Sequence, residues 1–215
     1  MRIFTTTLAV IALVAATAST AANLPGVASG SKKYTLNNAV GKNSVVFVSD
    51  APAEKIEGTA DGVSGSFTFD ASKIEVTTGV IEVRVSTMTT ANSKRDEHMY
   101  SPMWLDAEQF PTISFAVSSL KDVKVTTKDG KSVVTATAVG TFTCHGVTKS
   151  ATAPVSITVI PESAETKKRA SGTLIMVETS FTVALADHKV TGKAGVVGKS
   201  VGETIAVNAK LFANS

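Results

Sequence analysis

The sequence predicts an all-β protein, an antiparallel barrel carrying one short helix. Three observations lead there. Segments rich in Val, Ile, Thr and Phe recur along the chain while helical periodicity is nearly absent. Short polar links join them, as in antiparallel sandwiches and barrels. Two segments, 79–90 and 131–145, would run roughly 40 to 50 Å if straight, too long for a compact sandwich but suited to a closed sheet whose strands coil around a shared interior.

Taken in order, the first residues read as a leader. Arg2 precedes an apolar run over 8–16, and Ser19-Thr20-Ala21-Ala22 offers small residues for cleavage. The competing reading is a membrane anchor, but the run falls short of the roughly 20 apolar residues that span a bilayer. Removal of residues 1–22 as a secretory signal peptide is therefore expected. Residues 23–215 then remain as one domain, periplasmic or secreted. Cys144 is the only cysteine, so no lipid-bearing cysteine follows the leader and no internal disulfide can form.

Strands are expected over 34–37, 44–50, 62–70, 80–90, 112–120, 123–127, 131–145, 153–160, 171–178, 181–186 and 204–212. Asp129-Gly130 suits the tight primed turns that follow strand twist, and should join 123–127 to 131–145. The polar run 161–169 reads as a hairpin loop. Residues 187–203 carry Gly192, Gly195, Gly198 and Gly202 and form the longest irregular connection, either a cover over one barrel end or an ordinary surface loop. Gly65-Ser66-Phe67-Thr68 and Gly140-Thr141-Phe142-Thr143 look alike, yet nothing recurs at a fixed period, so no repeat architecture is expected.

The helix falls between the strands. Ser93 with Asp96 three residues on has the form of a capping box, predicting a short helix near residues 93–100. Pro102 stops it, because the residue before a proline is pushed away from helical geometry. Pro111 suits a strand's first position, and Ile113, Phe115 and Val117 then alternate with Ser114, Ala116 and Ser118.

Read together, Thr90-Ala91-Asn92-Ser93-Lys94-Arg95-Asp96-Glu97-His98-Met99, then Trp104-Leu105-Asp106-Ala107, then Phe110-Pro111-Thr112-Ile113-Ser114-Phe115 resemble the YceI-like family of secreted proteins. There a Thr-rich turn is followed by a short helix with an Arg-Asp-x-His-[Leu/Met] signature and by an aromatic-Pro-x-Ile-x-Phe strand. Cys144-His145-Gly146-Val147-Thr148-Lys149 is similar to the family's His-Gly-Val-Thr corner. The resemblance spans 34–212 but departs in two places. The late strands read Thr179-Ser180-Phe181-Thr182-Val183-Ala184-Leu185-Ala186-Asp187-His188 instead of Asn-Arg-x-Asp-Phe-Gly, and Phe47-Val48 leads into Ser49-Asp50 without the family's early His. This is the pattern of a divergent branch. The resemblance implies an extended eight-stranded antiparallel β-barrel of lipocalin-like shape, and a polyisoprenoid or quinone-like chain held inside it.

Period-two reading places Ile81, Val83, Val85 and Thr87 on one face of their strand, with Glu82, Arg84 and Ser86 on the other. On the long strand Val134, Ala136, Ala138, Gly140 and Phe142 share a face, and its small residues favour an interior with room for a slender ligand. The alternative is a filled barrel in which those residues face Phe47, Phe67, Phe69 and Phe115. With the resemblance added, the expected ligand wall is Phe47, Phe67, Phe69, Ile81, Val83, Val85, Phe115, Val134, Ala136, Ala138 and Phe142.

Other chemistries find little support. The net charge is +3 and the 21 basic residues are scattered, so no nucleic-acid surface is expected, and at most a transient contact with a membrane surface. His98, His145 and His188 show no metal-ligand spacing, and no Gly-x-Ser-x-Gly turn is present. His145 reads as a turn residue bonded to backbone, Cys144 as a small core residue, and Trp104 as a rim residue. Arg95 either ties the helix to the barrel mouth or meets a lipid headgroup, while Asp96 reads as a helix cap. No catalytic residue, metal or cofactor is expected. The function expected is a periplasmic carrier holding an isoprenoid or similar lipid without chemistry. The alternatives are an envelope or stress-related interaction protein with a filled barrel and, more weakly, a metal-dependent or hydrolytic enzyme at the rim. The residues do not set an oligomeric state.

Overall fold

A computed structural model describes residues 24–215; the leader expected over 1–22 lies outside them. The strands are β1 (Ser31–Leu36), β2 (Ser44–Asp50), β3 (Lys55–Ala60), β4 (Val63–Asp70), β5 (Thr78–Arg84), β6 (Met88–Thr89), β7 (Thr112–Lys128), β8 (Lys131–Cys144), β9 (Val147–Ile160), β10 (Leu174–Ala184) and β11 (Thr204–Asn214), with helix α1 (Ser93–Tyr100) between β6 and β7. All pairings between strands are antiparallel and belong to one sheet.

Register shows how these strands make a barrel of eight. β11 pairs with β10 along its length and, on its other edge, with β2 through Ile205 to Lys210 and with β1 through Ala213 and Asn214. β1 and β2 are thus two halves of one stave, interrupted at 37–43. β4 and β3 lie beside them in the same order, and β5 and β6 follow. β5 then pairs with β7, and β7 to β11 are neighbours in sequence order, so the β1–β11 pairing closes the ring. Closure leaves no free sheet edge around the packed end of the barrel.

Several expected strands changed shape. The segment 80–90 is broken: β5 ends at Arg84, a 3₁₀ turn covers Val85–Thr87, and β6 follows. Thr87 donates to Arg84 O at 2.7 Å and accepts from Gly62 N at 3.0 Å, fixing that corner. The segments 112–120 and 123–127 are one strand, β7, whose register slips at Val117/Ser119 and Lys121/Lys124, with Asp122 at φ 54. Likewise 171–178 and 181–186 fuse into β10. β3 was not expected, since Lys55-Ile56-Glu57-Gly58-Thr59-Ala60 holds few strong strand formers; its alternating burial follows from pairing with β2. Asp129 and Gly130 both have positive φ, 51 and 69, as a primed hairpin turn requires.

Bulk is concentrated at one end of the interior. Tyr34 stacks on Phe67 with ring centroids 5.6 Å apart and meets Phe69 edge-on at 6.1 Å. Ile74, Val134, Val159 and Ile175 are buried in the same cluster. Toward the other end the wall loosens. The β9–β10 ladder stops at Thr179↔Val155, where Pro154 has no N–H to continue it and Thr179 donates its hydroxyl to Pro154 O at 2.8 Å instead.

Tight strand contact is tested most simply at Gly140, where a Cβ would collide with the main-chain oxygen of Ala116 on β7. Gly140→Ala is expected to lower stability by about 1 to 3 kcal/mol, read as a fall in denaturation midpoint.

Candidate functional site

Beyond the packed end lies a cavity of about 410 Å³, within the range of roughly 300 to 1,000 Å³ typical of ligand pockets. Its walls come from most of the barrel: Phe47 on β2, Ile81 and Val83 on β5, Ile113, Phe115 and Val117 on β7, Ala138, Phe142 and Cys144 on β8, Ala153 and Val155 on β9, Val177, Phe181 and Val183 on β10, and Ile205, Val207, Ala209 and Leu211 on β11. Ala138 also belongs to the packed cluster, which places the cavity floor at its level. Above it the rings of Phe115, Phe142 and Phe181 support one another at centroid distances of 5.7 to 6.4 Å. Across the barrel the Phe47 ring covers Gly58 on the neighbouring strand, which leaves no room for a side chain there.

Of the eleven residues expected on the wall, Phe47, Ile81, Val83, Phe115, Ala138 and Phe142 line the cavity. Phe67, Phe69, Val134 and Ala136 do not; they point inward as expected but lie in or against the packed end. Alternation fixes which face a residue takes, and depth along the barrel is set by register. Val85 also lies off the wall, because the 3₁₀ turn removes it from the alternation of β5 and buries it among Val63, Met88 and their neighbours. Missed altogether were Phe181, Val183, Ile205, Val207 and Ala209. The period-two pattern of their strands carried that signal.

Two covers meet over the open end. α1 and the residues after it contribute Arg95, His98, Met99, Trp104 and Leu105, while the long connection after β10 contributes Val190, Val196, Ser200 and Val201. Gly192 sits against the Trp104 ring, where an added Cβ would come within 2.5 Å, and its φ of +60 suits glycine. The 187–203 segment is therefore a cover over the barrel end. Ala53 N donates to Lys199 O at 2.9 Å and Gly202 N to Ser49 Oγ at 2.8 Å, tying it to the β2–β3 side. On the opposite side His145 Nδ1 bonds His188 O at 3.1 Å and His188 Nδ1 bonds Val147 O at 3.0 Å. His145, at φ 49, is a turn residue outside the cavity wall.

The helix is held differently from expectation. Asn92, not Ser93, is the N-cap, accepting from Arg95 N at 3.1 Å. Asp96 turns away from its own helix and accepts from Thr89 Oγ1 at 2.6 Å, Thr90 N at 2.8 Å and Thr90 Oγ1 at 2.6 Å. Burial pushes its carboxyl pKa upward, but these hydrogen bonds outweigh that and hold it below the ordinary 3.8. The Tyr100 hydroxyl donates to Met88 O, so both ends of α1 are fastened to the same short strand. Arg95 bonds Glu54 Oε1 at 2.8 Å across the mouth. Burial raises the Cys144 thiol to about 12, leaving it protonated and unreactive near neutral pH. Among the described residues no three His, Cys, Asp or Glu side chains come together to hold a metal.

Two outcomes follow from this mouth. Because the folded pKa of Asp96 is depressed, its stabilisation is complete above the unfolded value near 3.8 and is lost as pH falls through the lower folded value. Asp96→Asn should therefore lower the thermal midpoint at neutral pH and flatten its decline below pH 4, measured by unfolding across a pH series. Gly192→Val should push the cover off the Trp104 ring, and since Trp104 is the only tryptophan, a red-shifted emission with unchanged far-ultraviolet dichroism reports it.

Comparison with known proteins agrees with this architecture. Residues 34–213 match the YceI-like domain. A UPF0312 protein of Pseudomonas fluorescens is 38% identical over 94 residues, covering 44% of this chain and 46% of that protein. One of Pseudomonas syringae is 32% identical over 94 residues, with 44% and 45% covered. The matched stretch spans about half the length of these relatives. Among solved structures, BcnA of Burkholderia cenocepacia superposes with a TM-score of 0.63 at 18% identity, covering 83% of this chain and 99% of that one. A polyisoprenoid binding domain from Saccharophagus degradans, implicated in plant cell wall breakdown, superposes with a TM-score of 0.58 at 16% identity, with 85% and 98% covered. At such identities the likeness is one of fold. The domain match over most of the chain, on a closed barrel of this shape, places the protein in the YceI-like family.

Proposed function

We propose that this protein holds a long apolar lipid of the isoprenoid class, quinone-like molecules included, in the barrel cavity, and carries or sequesters it outside the cytoplasm without chemistry. The observation that carries this reading is a cavity of about 410 Å³ whose wall is almost wholly aliphatic and aromatic. The structural neighbour described as a polyisoprenoid binding domain supports the choice of lipid class, and the apolar run after Arg2 supports export.

The energetics favour transport. Burying one five-carbon isoprene unit supplies about 4 kcal/mol gross, at about 0.8 kcal/mol per carbon. Several units would approach the practical ceiling of non-covalent affinity, roughly 18 to 21 kcal/mol, before ordering and desolvation costs are subtracted. A membrane offers the same lipid similar burial, so exchange between barrel and bilayer is nearly balanced. A mouth that touches a membrane surface briefly is enough for such exchange.

Organic extraction of the purified protein followed by mass spectrometry should recover a prenyl lipid. No bound lipid, with no uptake of an added long-chain prenyl alcohol, would reject the proposal. Ala209→Trp, on the wall above the floor, should abolish uptake with little loss of stability, whereas Ala138→Trp at the floor should shorten the chain accepted and cost about 1 to 3 kcal/mol through overpacking.

A further inference from the structure

We propose that the apolar chain enters and leaves through the side of the barrel, by a slit between β9 and β10 that Phe181 gates. This rests on the lipid-binding reading above and adds the route by which the ligand reaches the cavity.

β9 and β10 pair only from Leu174↔Ile160 to Thr179↔Val155. Both strands nevertheless continue toward the mouth, β9 held on its other edge by β8 as far as Val147, and β10 by β11 as far as Ala184. Pro154 accounts for one missing donor. Ser150, Ala151, Thr152 and Ala153 each carry an N–H, yet among the described residues none of them pairs with Ser180–Ala184. Two strand edges thus face each other unpaired over about five residues, roughly 17 Å. Their main-chain groups need water in place of a ladder partner, so the slit is open to solvent. It is pinned at its two ends. At the foot Thr179 Oγ1 donates to Pro154 O at 2.8 Å, and at the mouth corner His188 Nδ1 donates to Val147 O at 3.0 Å.

Carrying the register past Thr179↔Val155 sets Phe181 opposite Ala153 and Val183 opposite Ala151. Phe181, Val183 and Ala153 line the cavity, so the inner lips of the slit are apolar. Thr152 and Thr182 alternate to the outside and are exposed. The Phe181 ring is partly exposed and leans on Phe115 and Phe142 at centroid distances of 5.8 and 5.7 Å. Opposite it the alanines leave room for the ring to turn. Outside, a groove of about 620 Å³ lies over the foot of the slit, and Val155, Thr179 and Ala209 line both that groove and the cavity. The barrel end, by contrast, is tied on two sides, through Lys199 O and Gly202 N to the β2–β3 side and through His188 O to His145. A chain threading that end must pass beneath these ties. A chain lying along the barrel axis can pass sideways through the slit with no ladder bond to break.

The test fixes each route in turn in the full protein and follows a prenylated benzoquinone, whose binding quenches Trp104, by stopped flow. One variant carries Thr152→Cys with Thr182→Cys across the slit, the other Ala53→Cys with Lys199→Cys between the cover and the β2–β3 turn, and each pair is joined by a short bifunctional thiol reagent. None of these four positions lines the cavity, all four are exposed, and Cys144 is buried away from the reagent. Bridging the slit should slow both association and release by about tenfold or more at unchanged affinity, as blocking a gate does. Bridging the cover should leave both rates near those of the unbridged protein. Phe181→Ala, which removes the gate, should speed association. A slit bridge that leaves the rates unchanged, or a cover bridge that slows them as much, overturns the inference while leaving lipid binding standing, as does association with Phe181→Ala no faster than with the unaltered protein. Failure of the quinone to bind the unaltered protein overturns the lipid-binding reading and this inference with it.

Discussion

Closure of the sheet through β11 is the constraint on which the rest depends. β11 pairs with three strands, β10 on one edge and the two halves of the first stave on the other. An eight-stranded ring fixes the interior cross-section regardless of which side chains fill it. Where the chain supplies Tyr34, Phe67 and Phe69, the interior is solid. Where it supplies Ala138, Ala153 and Ala209, backbone closure holds the wall apart and a hollow remains. The hollow thus follows from an uneven distribution of bulk inside a frame that cannot collapse.

The frame is less uniform than its strand count implies. Three of its staves are interrupted, and the breaks coincide with side-chain bonds to backbone, as at Thr87, or with glycines pressed against neighbours, as at Gly41 and Gly62. The β9–β10 seam ends where a proline withdraws a donor and a threonine hydroxyl supplies a bond of its own. Such substitutions keep backbone polar groups satisfied where the ladder ends. Among the described residues no buried side-chain nitrogen or oxygen lacks a partner.

Around the mouth, fastening outweighs chemistry. Asp96 and Tyr100 secure α1 to the end of β6, His145 and His188 secure the opposite corner, and Trp104 receives Gly192 of the cover. The signature residues divide accordingly. Asp96, bonded to the Thr89 and Thr90 hydroxyls and to Thr90 N, and His145, bonded to His188 O, lie off the cavity wall, while Arg95, His98 and Trp104 reach it. Arg95 does both, since it lines the opening and bridges to Glu54 on the β2–β3 turn.

The sequence by itself determined the all-β class, the Asp129-Gly130 hairpin, the short helix before Pro102, and the inward face of β8 from Val134 to Phe142. These rest on local rules, namely two-residue alternation, turn conformations open to Asp and Gly, and the exclusion of helix before proline. Tertiary structure alone decided how far along the axis each inward residue sits, which separated Ala136 from Ala138 and sent Phe67 and Phe69 to the packed end. It also decided that Glu54 and Arg95, 41 residues apart, would meet, and that the glycine-rich connection would lie over the barrel. The reason is that depth and long-range pairing are set by register between strands, a property of the closed sheet as a whole that no single segment encodes.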